Sequence, residues 1–385
     1  MGLTSNKVLA LAVLLAVVLF IGTVWLWPRL ARRSWKAVTG RVGLLLATQV
    51  AIFASVGLAA NQAFGFYATW ADLFGQETEQ GVVVDHDTGP GAHGPVKVDG
   101  KQAVNVPGGG TPRIGGQIQK VKVSGLNSNI ASQAYVYLPP EYFQPQYKDR
   151  TFPASVVLTG YPGTAEALIK GLHYPQTAHQ QAKDGKMQPM ILVMLRPTVA
   201  PPRDTECVDI PGGPQTETFF AKDLPGAISD HYRVSKKPGN WGIIGDSTGG
   251  YCALKLAMHH PDVYAAGAGL SAYYKAPIDV TTGDLFHGNK DLENRANLMW
   301  YLDHMPPPKT SLLVSSSKKG EDNYHDTLKF IDKVKSPTRV SSITLDSGGH
   351  NFNTWRREIP ATLQWISGRL GDQAPGSAGA AKPQT

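Results

Sequence analysis

The chain has 385 residues, with 37 Lys/Arg, 30 Asp/Glu and two cysteines, enough for one large domain and additional segments. Its net charge of +7 is unevenly spread: residues 1–75 hold six basic side chains (Lys7, Arg29, Arg32, Arg33, Lys36, Arg41) against Asp72 alone, and the rest holds 31 against 29. With the bulk near neutral and no basic stripe interleaved with aromatics, the composition argues against nucleic-acid binding.

Residues 8–27, VLALAVLLAVVLFIGTVWLW, carry no charge. As a helix they would reach roughly 30 Å, about the hydrocarbon thickness of a bilayer. A second apolar run occupies residues 42–63, and PRLARRSWKAVTGR between the two has five basic residues and no acid. Such a loop stays cytoplasmic. Residues 1–75 are therefore expected to form a two-helix transmembrane hairpin in the cell membrane, with everything after residue 70 on the extracytoplasmic side. Trp25, Trp27 and Trp35 suit the inner interface, and Phe64, Phe66, Tyr67 and Trp70 the outer one. Ala47, Ala51 and Ser55 would give the second helix a small-residue stripe for close packing. The competing reading is a cleaved signal peptide. The length of the run, the basic cluster after it and the lack of a small-x-small site count against that reading.

Residues 76–115, with GPGAHGP and VPGGGTP, read as a linker, and residues 371–385 as a disordered, low-complexity tail. GPGAHG formally fits G-x-G-x-x-G, but a proline sits inside it and PVKV follows, so no dinucleotide cofactor is expected. Across residues 116–370 strand and helix signals alternate. Strand-like runs are QIQKVKV, SQAYVYLPP, ASVVLTG, MILVMLRP, NWGIIGD, YAAGAGLSA, TSLLVSSS and RVSSITLD. Helix-like runs are TAEALIKGL, QTETFFAKDLPGAISDHY, TGGYCALKLAMHH, DLENRANLMWYLDHM, YHDTLKFIDKV and TWRREIPATLQWISGRL. The first two strands suit a hairpin, and the apolar later ones suit the centre of a mostly parallel sheet with helices on both faces.

Gly245-Asp246-Ser247-Thr248-Gly249 fits G-x-S-x-G between the strand WGII and a helix beginning near Thr248. That setting is a nucleophile elbow: Gly245 and Gly249 leave room for a tight turn, and Ser247 is held in a strained conformation with its hydroxyl above the sheet. The pentapeptide alone is a weak signal, so the partners matter. A trypsin-like G-D-S-G-G reading fails because Thr248 intervenes, a helix follows, and the best histidine lies downstream.

His350 follows the last predicted strand on a loop that precedes a helix, where chemistry gathers in open α/β sheets. It is the best-placed base of the eleven histidines. His259 and His260 suit a helix C-terminus before Pro261. With no H-E-x-x-H or C-x-x-C spacing, a metal site has little support. The acid should follow SLLV, where Glu321, Asp322 and Asp326 are candidates. Glu321 is favoured and Asp322 is the alternative, each also being able to cap the next helix. The oxyanion donors are expected to be Thr248 N–H and, from TGYPGTAEAL, Tyr161 N–H, with Gly160 allowing close approach. Cys207 and Cys252 can pair and brace the nucleophile's helix, or remain two buried thiols.

With these residues assembled, residues 116–370 resemble the esterase D-like branch of the α/β-hydrolases, which contains the antigen 85 mycolyltransferases. The resemblance rests on LTGYPG as the oxyanion loop, GDSTGGYCALKLAMHHPDVYAA as the elbow and its helix, and GGHNFNTWRREIPATLQWI around the base, with Trp355 five residues after His350. It implies an α/β-hydrolase fold and hydrolysis or transfer of acyl groups through a serine ester, without a cofactor. The two-helix anchor and the acid segment depart from that family's pattern.

The expected activity is a membrane-anchored, extracytoplasmic serine esterase or acyltransferase acting on an acyl-ester or lipid-like substrate. The rival is a catalytically silent scaffold that keeps the fold. Residues 272–308 form a long excursion between strands. Its Tyr273, Tyr274, Leu285, Phe286, Met299 and Trp300 suit an acyl-binding wall and core packing equally well.

Overall fold

The structure is a computed structural model that describes residues 5–64 and 94–371, apart from positions 33, 202 and 238. Phe66, Tyr67 and Trp70, residues 76–93 of the expected linker and the tail from residue 372 lie outside the described residues, as does the side chain of Phe64. The chain divides into two compact units, Met1–Glu79 and Gln80–Thr385.

In the first unit, helix α1 (Asn6–Leu26) pairs with helix α2 (Trp35–Phe64). Both are long and apolar enough to cross a membrane. α2 starts about two turns before the apolar run, where Ser34 Oγ accepts a hydrogen bond from Ala37 N–H and caps it. Thr23 and Thr48 hydroxyls meet at 3.0 Å between the helices. Thr48, Ala51 and Ser55 are buried there, whereas Ala47 of the expected stripe is exposed. The contact follows the 48–51–55 helical row, and Ala47 lies beside that row. The outer faces carry exposed Leu11, Leu14, Val18, Val50 and Phe53.

The second unit is built on a nine-stranded sheet in the order β1-β2-β3-β5-β4-β6-β7-β8-β9. The strands are β1 Val96–Ala103, β2 Gln117–Ser124, β3 Ala131–Leu138, β4 Ala154–Leu158, β5 Ile191–Leu195, β6 Trp241–Asp246, β7 Tyr264–Leu270, β8 Ser311–Ser317 and β9 Arg339–Leu345. β1 to β3 are antiparallel, β3 also runs antiparallel to β5, and β4 to β9 are mutually parallel. β4, β5 and β6 are buried along their whole length, as continuous apolar runs require at the centre of a covered sheet.

The eight strand-like runs coincide with β2 to β9. β1 lies in the stretch that composition assigns to the linker. VKVDGKQA alternates and seats Val96 and Val98 opposite Val123 and Val121, but its Gly- and Pro-rich flanks hide that pattern. Helix Tyr174–Lys183 is also new. It is polar overall; Tyr174, Ala178 and Gln181, one turn apart, are buried, together with Pro175 in its first turn. The run DLENRANLMWYLDHM divides into Lys290–Ala296 and Leu298–His304. Asn297 interrupts it, its side chain accepting from Met299 and Trp300 N–H to cap the second helix.

Alternate strand residues feed two cores. On one face Val156, Leu158, Val193 and Ile243 meet Phe219, Phe220 and the helix Thr248–His259. On the other, Val157, Leu192, Met194 and Ile244 meet Leu168, Tyr174 and helix Phe352–Ser367 through Trp355, Ile359 and Leu363. The carboxyl ends of β6 to β9 therefore share one rim, and the polar residues described next sit on it.

Candidate active site

β6 ends at Asp246 and the helix begins at Thr248, so one residue, Ser247, makes the turn with φ 54° and ψ −120°. This is a conformation that L-residues avoid. A Cβ on Gly245 would lie 2.1 Å from Gly249 O, and one on Gly249 would lie 2.5 Å from Thr159 O. Both positions exclude every residue but glycine. Ser247 N–H donates to Leu270 O at 2.9 Å, which ties the turn to β7.

His350 lies on the loop after β9. The following helix is capped by Asn351, whose side chain accepts from Asn353 and Thr354 N–H, and this fixes where the loop ends. His350 Nε2 is 2.8 Å from Ser247 Oγ across 103 residues of sequence. Its ring stands edge-on to Trp355, centroids 5.1 Å apart. On its other side, Nδ1 is 3.5 Å from Glu321 Oε2, an ion-pair distance at the outer limit of a hydrogen bond.

Glu321 follows β8, with its side chain only 3% exposed. Its Oε1 accepts from Ser271 Oγ at 2.7 Å, and Trp355 Nε1–H donates to that same hydroxyl at 2.8 Å. The carboxylate is thus held in place by the end of β7 and by the helix that follows His350. Asp322 is exposed on the same loop, and Asp326 pairs with Lys329 at 2.9 Å. The geometry brings Glu321, and neither aspartate, to the imidazole.

Gly160 follows β4 and presses on the elbow. A Cβ there would be 3.0 Å from Ser247 Cβ. Tyr161 comes next in that loop, and Thr248 opens the helix directly after Ser247.

A family model described as "Putative esterase" matches residues 126–366. The chain belongs to the Esterase family. An uncharacterized protein of Corynebacterium glutamicum is 25% identical over 276 residues, 67% of this chain. The aligned part spans 63% of that relative's own length. A ferulic acid esterase structure is similar over 65% of this chain and 96% of its own, with a TM-score of 0.54 at 18% identity. An S-formylglutathione hydrolase from Agrobacterium tumefaciens is similar over 71% and 99%, with a TM-score of 0.55 at 15% identity. At these identities the likeness is one of fold.

This Esterase-family chain surrounds the elbow with buried acids that its sequence does not advertise. Cys207 and Cys252 are disulfide-bonded and join the loop after β5 to the helix Thr248–His259. Glu206 and Cys207 both have positive φ, 48° and 51°. Lys255, fully buried, donates to the carbonyl oxygens of both and pairs with Glu217 at 3.2 Å. The Tyr273 hydroxyl lies 2.6 and 2.7 Å from the two Glu206 oxygens and 3.0 Å from Thr248 Oγ1. Tyr273, expected in an acyl-binding wall or the core, instead links Glu206 to the helix N-terminus, and Tyr274 and Leu285 are buried core residues. The only sequence signal for this cluster is the lone lysine in YCALKLAM.

The disulfide closes a separation of 45 residues. On the chain-entropy account it contributes about 4 kcal/mol. Reduction, or paired Cys207→Ser and Cys252→Ser substitution, should lower Tm markedly. An unchanged Tm after complete thiol titration would show that the bond constrains nothing.

Burial pushes the Glu206 carboxyl up to about 8, with Asp204 beside it adding repulsion. A carboxyl raised in the folded state favours folding while both states are protonated. That advantage fades as pH rises from the unfolded value, about 4.3, through the folded one. The Tm difference between Glu206→Gln and wild type should therefore move in the variant's favour from about pH 5 to 8. A difference that stays flat across that window would mean that Glu206 is ionised throughout.

Proposed function

We propose that this chain is a membrane-anchored serine esterase or acyltransferase whose catalytic domain faces the extracytoplasmic side. The observation that carries the chemistry is the 2.8 Å contact between His350 Nε2 and a hydroxyl fixed at a strand–helix elbow. His350 removes the proton as Ser247 Oγ attacks the acyl carbon. Glu321 behind Nδ1 holds the imidazole in the accepting tautomer and stabilises its charged form. Thr248 and Tyr161 N–H groups receive the oxyanion, in the positive field of the helix N-terminus. The alcohol leaves with the proton from His350, and an acyl-Ser247 ester remains. Water, or a second alcohol as in transfer of the mycolyltransferase type, then attacks that ester by the reverse proton path.

The apolar length of α1 and α2 supports the anchor, and the five basic residues between the apolar runs support a cytoplasmic turn. The Cys207–Cys252 bond supports the outward orientation, because disulfides persist in oxidising compartments.

A fluorophosphonate probe tests the reading directly. Purified chain should be labelled, with the adduct mapping to Ser247 by peptide mass. Absence of labelling on folded protein would favour the scaffold. A panel of p-nitrophenyl esters of increasing acyl length, with and without added lipid alcohols or sugars, then separates hydrolysis from transfer.

A further inference from the structure

Asp246 precedes the elbow serine and has no part in the proton path described above. It is 1% exposed, at the last position of β6. Its Oδ2 accepts a hydrogen bond from Gly160 N–H at 2.8 Å, across 86 residues of sequence. Its Oδ1 has no hydrogen-bond partner among the described residues. The loop it holds is the one that carries Tyr161. That loop has little slack: a Cβ on Gly160 would stand 3.0 Å from Ser247 Cβ and 3.2 Å from Asp246 Oδ2. On the far side of the turn, Gly249 lies against the carbonyls of Leu158 and Thr159. The strand-end segment 158–160 is therefore gripped from two sides by the residues that flank the nucleophile.

We propose that Asp246 is a positioning residue for acyl transfer: by accepting the Gly160 N–H it sets the loop so that the next amide, Tyr161 N–H, points at the oxyanion formed on Ser247. This rests on the reading of Ser247 as nucleophile. A donor a fraction of an ångström out of place stabilises the ground-state carbonyl and the oxyanion about equally, so the loss falls on kcat and leaves KM alone. What Asp246 supplies is an acceptor oxygen at one place. Asparagine supplies the same oxygen, because its NH2 group cannot face another N–H and must turn away. Alanine and leucine supply none, and they leave the Gly160 N–H without this acceptor.

The experiment compares Asp246→Asn, Asp246→Ala and Asp246→Leu with wild type in kcat, KM and Tm on one p-nitrophenyl ester. Leucine keeps the branched shape of the side chain, though with bulkier ends, and stands in should the alanine variant not fold. Ala or Leu should lower kcat by roughly 100-fold, as partial loss of one oxyanion donor does, with KM within about threefold. Asn should restore kcat to within about fivefold of wild type. An acceptor-less variant with near-wild-type kcat, or an Asn variant as slow as Ala in a protein that melts normally, overturns the proposal. Fluorophosphonate labelling of wild type separates this from the underlying reading. If Ser247 is not labelled in wild type, the nucleophile assignment has failed. If it is labelled and the Asp246 series is flat, only the anchor has failed.

Discussion

Ser247→Ala is expected to lower kcat for an acyl ester by about 10⁵–10⁶-fold, the loss typical of removing a triad nucleophile. It should also abolish fluorophosphonate labelling and leave Tm within a degree or two. The stability half follows from the backbone. At φ 54° and ψ −120° alanine is as strained as serine, and the turn's hydrogen bonds come from main-chain groups, Ser247 N–H to Leu270 O and Tyr251 N–H to Ser247 O. Ser247→Gly separates strain from chemistry. Glycine relieves a conformation that costs about 1–3 kcal/mol. It gives back about 0.5–1 kcal/mol in chain entropy. The net gain, on the order of 1 kcal/mol, should raise Tm by about 2–4 °C in an equally inactive protein. A strained position that grows more stable as activity vanishes is strain retained for function. If the purified alanine variant kept more than about 1% of the activity, Ser247 would be an ordinary turn residue and the hydrolysis would have another source.

What could be read in advance depended on whether a residue's partners are near it in the sequence. The elbow was legible because Gly245, Ser247 and Gly249 act within five residues, between a strand and a helix with strong apolar patterns. His350 was legible for a similar reason, as a loop residue between β9 and an amphipathic helix. The mostly parallel sheet and its antiparallel start followed from the same periodicities, but the strand order did not. β1 was not legible, because VKVDGKQA is short, polar on one face and flanked by Gly-rich segments, so its pairing with β2 is decided by the sheet edge it completes. Helix Tyr174–Lys183 is hidden because its four buried positions in ten include a proline and a glutamine and give no apolar stripe. The supporting shell was missed for a deeper reason. Asp246 meets Gly160, Ser271 meets Glu321 and Trp355, and Tyr273 meets Glu206, all across 50 to 86 residues. No local pattern encodes those meetings. Between Glu321 and Asp322 the sequence could rank but not choose, since adjacent residues on a loop differ only in the direction each side chain takes.

That direction makes Glu321→Gln and Asp322→Asn unequal experiments. Glu321→Gln should reduce kcat by about 10²–10⁴-fold with little change in KM. The carbonyl of the introduced amide can keep the hydrogen bond from Ser271 Oγ, which leaves the amide NH2 group facing His350 Nδ1. An amide N–H there favours the imidazole tautomer that carries its proton on Nε2, and that nitrogen then cannot accept from Ser247. The carboxylate's stabilisation of the imidazolium is lost as well. The lower end of the range reflects the 3.5 Å separation between Oε2 and Nδ1, longer than a strong charge-assisted hydrogen bond. Asp322, exposed on the same loop, should tolerate Asn within about twofold. Ser271→Ala adds a graded control: it frees Glu321 Oε1 and leaves Trp355 Nε1–H without its acceptor, so kcat should fall by about tenfold through a looser carboxylate while the acid itself remains. Stopped-assay kcat and KM on the same ester decide the order. A Glu321→Gln variant as fast as wild type, or an Asp322→Asn variant as slow as Glu321→Gln, would mean that the imidazole is oriented by something other than the buried glutamate, and the Ser271–Trp355 brace would lose its explanation with it.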